Sequence, residues 1–301
     1  MTENLLKDFS TLDHDLTDWC RAAFREVEAS LVRKTGIRGI RLPVILSEHL
    51  DNPADSAAKV LLAPCVSLLQ RRITEDEIEQ FVRVDLASRL TDLSRCLYEA
   101  WIAYGLIDLL EPTEFKGVML MPEGDPRPCQ LDYLELGFQM PDGDLRLPEA
   151  LFTTALGEQY AYKFESVTEI AFYRVSPRRR EFSCAGNTVN QVCHRAFLLY
   201  RRENSDEVPI IASREKRNML SPDLMVEHLS ADEYASELRR KELSLRIQIA
   251  RPNNPLQVVF WQEQPEGDPA SDDSNRQFYE TSVVGTSRVE LAKLLVPLTG
   301  I

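Results

Sequence analysis

The stretch TEDEIEQFVRVDLASRLTDLSRCLYEAWIAYGLIDLLEP, residues 74–112, decides how the rest of the chain is read. Thr74 and Glu77 form the T-x-x-E pattern of a capping box, in which side chain and backbone satisfy each other at a helix start. Behind it Val82, Leu86, Leu90, Leu93, Leu97, Ala100, Tyr104 and Ile107 recur at steps of four and three, the period of one helical face. Pro112 has no N–H and disfavours helix in the residue before it, so the spacing predicts a helix from about Glu75 to Leu110. A seam this regular suits an intramolecular helical bundle, with a short intermolecular coiled coil as the alternative.

Upstream the pattern is also helical. Leu16, Cys20, Ala23, Phe24, Val27 and Leu31 share a face, Arg33 and Lys34 suit the negative end of the helix dipole, and Gly36 is a natural stop. A second helix is predicted to begin at Asn52-Pro53, with Pro64 kinking or dividing it. Residues 1–112 therefore read as a helical domain.

After Pro112 the period changes. Phe115–Met121 reads as a strand, and Leu134, Leu136, Phe138 and Met140 alternate toward a Pro141-Asp142-Gly143 turn, with Leu145 and Leu147 as the return arm of a hairpin. Tyr160–Val175 is rich in aromatic and β-branched residues, and a turn at 176–179 leads back through Glu181 to Cys184. Ser221-Pro222 reads as the start of a short helix. Ser230 and Glu233 start another, running toward Arg239, Arg240 and Lys241. Leu243, Leu245, Ile247 and Ile249 alternate as a strand, turned at residues 252–255 into a returning strand at Leu256–Trp261. Residues 264–277 form an acidic loop, and Ser287 with Glu290 caps a last helix ending near Val296-Pro297. The expected fold is α+β: an N-terminal helical bundle, then a domain at 113–301 built on a mainly antiparallel sheet with short helices.

Composition sets the classes of function. At 301 residues, with 44% hydrophobic and 28% charged, the chain has the make-up of a folded protein that buries its core without staples. A net charge of −13 opposes long-range attraction to nucleic acid and anionic membranes. The opening MTENLLKDFS does not read as a secretory signal, and the most apolar stretch, Trp101–Leu110, is too short for a bilayer and holds Asp108. With Cys20, Cys65, Cys96, Cys129, Cys184 and Cys193 scattered along the chain, a cytoplasmic protein with reduced thiols is expected.

The common catalytic signatures are missing. The sequence has no G-x-x-x-x-G-K-[ST], G-x-G-x-x-G, G-x-S-x-G or H-E-x-x-H, so no cofactor and no catalytic residue is assigned. Cys184 and Cys193-His194 hint at a metal, but there is no C-x-x-C, and adjacent residues of a strand point to opposite faces. No metal site is assigned. Cys184, in Ser183-Cys184-Ala185-Gly186-Asn187, lies near arginines that favour a thiolate, although an ordinary strand-end cysteine explains it equally. Asp108 with Glu114-Phe115-Lys116 matches the D…E-x-K letters of a metal-dependent nuclease, in which carboxylates hold Mg²⁺. Against it, Asp108 falls at a helix end, and 48 acidic residues make chance matches easy.

Charge is distributed unevenly. Arg174, Arg178, Arg179, Arg180, Arg195, Arg201 and Arg202 face one acid, Glu181, giving that window +6 within a chain of −13, and so −19 elsewhere. Guanidinium groups match carboxylate and phosphate bidentately. The window is therefore the candidate contact surface for an acidic protein or a second copy. Nucleic acid stacking on Tyr160, Tyr162, Phe164, Phe172 or Tyr173 is possible, as is pairing with the chain's own carboxylates. The expected function is a non-catalytic cytosolic adaptor or regulatory subunit that binds another protein or complex and no membrane. The alternative is a metal-dependent, nuclease-like enzyme acting on nucleic acid.

Overall fold

A computed structural model describes residues 14–136, 145–166, 195–203, 207–213, 220–261 and 279–299. Helix α1, His14–Thr35, stops at Gly36, which takes φ 76° and donates to the Val32 carbonyl. That left-handed backbone is open to glycine at little cost. Strand β1 (Gly39–Arg41) leads to α2 (Val44–Asp51) and α3 (Pro53–Leu69). Asn52 closes α2 and caps α3 by accepting the Asp55 N–H at 3.2 Å. Helix α3 continues through Pro64, which has no N–H to give to the preceding turn.

Helix α4 (Glu75–Phe81) starts at the expected capping box, with Thr74 N–H donating to Glu77 Oε2 at 2.7 Å and Glu77 N–H to Thr74 Oγ1 at 3.3 Å. A π-helical segment, Val82–Leu86, passes it into α5 (Ala87–Leu109). The predicted seam is buried as expected, but burial goes further: Leu93, Ser94 and every residue from Cys96 to Asp108 are enclosed. Trp19 meets Tyr98 and Trp101, Phe24 meets Tyr104, and Ser30 and Lys34 meet Asp108, so α1 and α5 lie side by side in the same direction.

The remaining elements are β2 (Pro112–Leu120), β3 (Pro126–Gln130), β4 (Tyr133–Glu135), β5 (Leu145–Arg146), β6 (Ala150–Thr154), β7 (Gln159–Ser166), β8 (Arg195–Arg202), β9 (Ala212–Ser213) and β10 (Leu224–His228). After them come α6 (Ala231–Ala235), α7 (Glu237–Ala250), β11 (Leu256–Phe260), β12 (Tyr279–Val283), α8 (Arg288–Lys293) and α9 (Val296–Thr299). Eight strands form one sheet in the order β12-β11-β10-β8-β7-β6-β2-β3. It is mixed rather than simply antiparallel: α6 and α7 cross over between the parallel neighbours β10 and β11, and β12 adds parallel to β11. From β10 to β3 the neighbours are antiparallel.

Strand alternation divides the core in two. Phe152, Tyr160, Tyr162, Phe164, Phe197, Leu199, Val226 and Val259 face α1, α5 and α8, while Leu151, Ala161, Leu198, Tyr200, Met225 and Val258 face α6 and α7. The helices before residue 112 share the first of these cores with the sheet, so apolar packing continues across the point where the secondary structure changes. All three tryptophans, Trp19, Trp101 and Trp261, gather in this core around Tyr98, with ring centroids 4.7–6.3 Å apart.

Three local expectations are corrected. The described arms of the predicted 134–147 hairpin pair elsewhere, β4 with β1 and β5 with β9. Leu134 and Leu136 serve the first core and Leu147 the second, and one flat hairpin would not place them so. Ser221-Pro222 leads into β10, not a helix; that strand is buried on both faces and so shows no alternation. The alternating run from Leu243 to Ile249 lies inside α7, where Leu243, Ile247 and Ala250 are buried at helical spacing. The turns at 141–143 and 176–179 and the acidic loop at 264–277 lie outside the described residues.

Gly105 is what lets α8 lie against α5: a Cβ there would sit 2.7 Å from Leu291 Cδ2. Gly105→Val is expected to lower the unfolding free energy by about 1–3 kcal/mol. Leu291→Ala in the same chain should recover part of that loss in urea titrations followed by circular dichroism; strictly additive losses would show that the two residues do not meet.

Candidate functional site

Helix α3 has the sequence PADSAAKVLLAPCVSLL and only two charged residues, Asp55 and Lys59. One side, with Ala57, Val60 and Leu61, packs against Phe81, Val82 and Leu86. The other side is apolar as well. Ala58, Leu62, Cys65, Val66 and Leu69 form a stripe open to solvent, with Leu62 65% and Leu69 83% exposed. Val44 and Ile45 of α2 and Val84 of the π-helical segment are also exposed. A surface helix ordinarily carries polar residues outward, and a helix apolar all round is usually a covered one. Cys65, within the stripe, is a free thiol.

The predicted arginine surface is only partly within view. Arg174, Arg178, Arg179 and Arg180 lie outside the described residues, and Arg195 is the first residue of β8. Arg201 and Arg202 close that strand. Arg201 pairs with Glu158 at 2.5 Å and its N–H donates to Asp223 at 2.6 Å, while the Arg202 guanidinium donates to the Glu207 carbonyl. Of the aromatics considered for stacking, Tyr160, Tyr162 and Phe164 are buried in the core.

The nuclease letters do not converge. Asp108 is buried at the end of α5 and accepts from Ser30 at 2.7 Å, Lys34 at 2.8 Å and Arg288. Burial alone would raise its pKa, but the hydrogen bonds from Arg288, Lys34 and Ser30 hold it below the ordinary value. Glu114 and Lys116 stand on β2, 3.7 Å apart. Among the described residues no group of three His, Cys, Asp or Glu side chains is arranged to hold a metal ion. Cys20 and Cys96 are buried, and desolvation pushes the Cys129 thiol up; Cys184, Cys193 and His194 lie outside the described residues.

Sequence reasoning missed an ionic cluster where β10 ends. Arg95 of α5 reaches Glu99 at 3.3 Å, Glu233 of α6 at 2.5 Å and the His228 carbonyl at 3.2 Å. His228 Nδ1 lies 3.8 Å from Glu99, Arg239 lies 3.8 Å from Glu233, and buried Arg246 pairs with buried Glu227 on the opposite face of the sheet. Burial raises Asp92 and Glu227, and it lowers His228 despite the Glu99 carboxylate beside it. The cluster binds α5 to the β10–α6–α7 crossover. The Arg95/Glu99 spacing and the Ser230/Glu233 box were its only local signals; the rest is tertiary contact.

No family model, curated protein or solved structure matches the chain. Among the described residues, no helix is long and apolar enough to cross a membrane.

His49, on the inner side of α2, gives this helical region a pH dependence. It is 1% exposed, with Nε2 3.4 Å from Ser94 Oγ, and burial followed by the Arg21 charge lowers its pKa from 6.5 to about 4. The unfolded chain therefore binds a proton that the fold excludes. The stability from keeping the ring neutral is full above pH 6.5 and is lost as pH falls toward 4, by up to about 3 kcal/mol. His228 shifts in the same direction. His49→Gln should flatten the fall in urea midpoint between about pH 6.5 and pH 5; an unchanged slope would show that His49 is not held neutral.

Proposed function

We propose that the protein is a non-catalytic cytosolic adaptor or regulatory subunit that works by binding another protein. The observation that carries this reading is the outward stripe of α3, Leu62, Val66 and Leu69, with a free thiol among them. Burying such side chains contributes about 25 cal/mol per Å² of apolar area, and contiguous exposed apolar groups typically mark interaction sites. The partner element that suits an apolar helical stripe is an amphipathic helix with anchors at a matching three- and four-residue spacing. The arginine window is placed second, as a contact for acidic groups around that helix. Its members Arg201 and Arg202 already engage Glu158 and the Glu207 carbonyl.

The double substitution Leu62→Glu, Leu69→Glu tests the reading. Both residues are exposed, so thermal stability should change by no more than about 0.5 kcal/mol each. Affinity purification from the native cells should recover a protein with the wild type that is lost with the variant. A wild type that stays a monodisperse monomer and retains no partner overturns the proposal. A partner recovered equally by the variant, but lost when Arg178, Arg179 and Arg180 are changed to Glu, would move the contact to the arginine window.

A further inference from the structure

The outward side of α3 has an internal symmetry. Ala58, Leu62, Cys65 and Leu69 follow one another at steps of four, three and four, the a/d spacing of a two-helix seam. All four are exposed, Leu62 at 65% and Leu69 at 83%. Asp55 stands three residues before this seam, in the first turn of the helix, and Arg72 three residues after it. Both are exposed as well. Arg71 takes φ 55° where the helix ends, and the Arg72 N–H donates to the Ser67 carbonyl at 2.9 Å, which keeps Arg72 beside the last turn. The acids that follow, Glu75, Asp76 and Glu77, occupy the first turn of α4, where they suit that helix's own dipole.

The pairs Asp55 and Arg72, Ala58 and Leu69, and Leu62 and Cys65 share one midpoint, between Ala63 and Pro64. A twofold axis at that point lays α3 of one copy antiparallel on α3 of another and sets each residue of a pair against its mate in the other copy. In that arrangement Leu69 meets Ala58 and Leu62 meets Cys65, so each large side chain faces a smaller one, as interdigitating layers require. Asp55 meets Arg72 at both ends, and the helix dipoles oppose. A parallel pairing would set Leu62 on Leu62, Asp55 on Asp55 and Arg72 on Arg72, with the dipoles aligned.

We propose that the partner of this face is a second copy of the chain, the two α3 helices packing antiparallel about a twofold axis. The assignment rests on the reading of the α3 stripe as a contact surface and gives that surface its occupant. Residues 58–69 span about 17 Å of helix, so the contact is small and exchanges with monomer at concentrations on the order of micromolar. The net charge of −13 opposes bringing two copies together, which leaves the apolar seam and the two Asp55–Arg72 contacts to hold the dimer.

Sedimentation equilibrium of the full chain at about 0.15 M salt, where exposed charges more than about 8 Å apart are largely screened, tests the assignment. The wild type should pass from monomer to dimer as its concentration rises. Asp55→Arg and Arg72→Asp should each weaken the dimer about fivefold or more, because each puts like charges together at both ends of the seam. The variant carrying both changes should regain the wild-type affinity. The two single variants, mixed, should associate with each other more tightly than either does with itself. Both positions are exposed, so every variant should give the circular dichroism spectrum and melting temperature of a folded chain. A monomer at every concentration overturns the proposal, and so does a dimer that survives Leu62→Glu with Leu69→Glu. Single charge variants as tight as the wild type, or a double variant no tighter than the singles, overturn it too. If the chain stays monomeric while affinity purification recovers a different protein that Leu62→Glu, Leu69→Glu loses, the second copy is overturned and the α3 contact surface stands.

Discussion

Helix α5 has no solvent face from Leu93 onward, and the rest of the structure is arranged to satisfy that constraint. A helix buried on every side needs neighbours on every side, apolar for its apolar residues and charged for Arg95, Glu99 and Asp108. α1 supplies one by running alongside it, α8 supplies another at Gly105, and the aromatic face of the sheet supplies the third. The one carboxylate at its buried end, Asp108, sits where a helix dipole disfavours negative charge. Lys34 from α1 and Arg288 from α8 both meet it there, so the elements that enclose α5 also balance its charge.

The opposite face of the sheet follows a different logic. Helices α6 and α7 cover it through Tyr234, Leu243 and Ile247, but they are joined to α5 by charges: Arg95, Glu99, Glu233 and Arg239 around the end of β10, with Glu227 and Arg246 behind. Buried ions are tolerated only as sets, since removing one partner leaves another unpaired at a cost of several kcal/mol. Removing any one member of the cluster therefore costs more than the intact set contributes.

Much of this was legible wherever the signal was local. Both capping boxes, the stop at Gly36, the β2 and β11 strands and the seam of α5 form where the residues indicate. The failures come where tertiary context selects between two periods. Leu243, Leu245, Ile247 and Ile249 alternate, yet Leu243 and Ile247 are also one helical turn apart, and burial of Arg246 against Glu227 fits the helical choice. The apolar letters of α3 were visible too, but nothing local distinguishes a stripe facing inward from one facing out. The ionic cluster was invisible because helix-to-helix contact, not sequence distance, brings most of its residues together.

The gathering of Trp19, Trp101 and Trp261 around Tyr98 has an optical consequence. Tryptophan emission from this protein originates at one seam, where α1, α5 and the end of β11 meet. Rings this close also exchange excitation, so the three indoles do not report separately. Tryptophan fluorescence will register the parting of that seam and remain blind to events confined to α3, which carries no tryptophan. Binding there is best followed with a dye on Cys65 or by heat, because the tryptophan light comes from elsewhere.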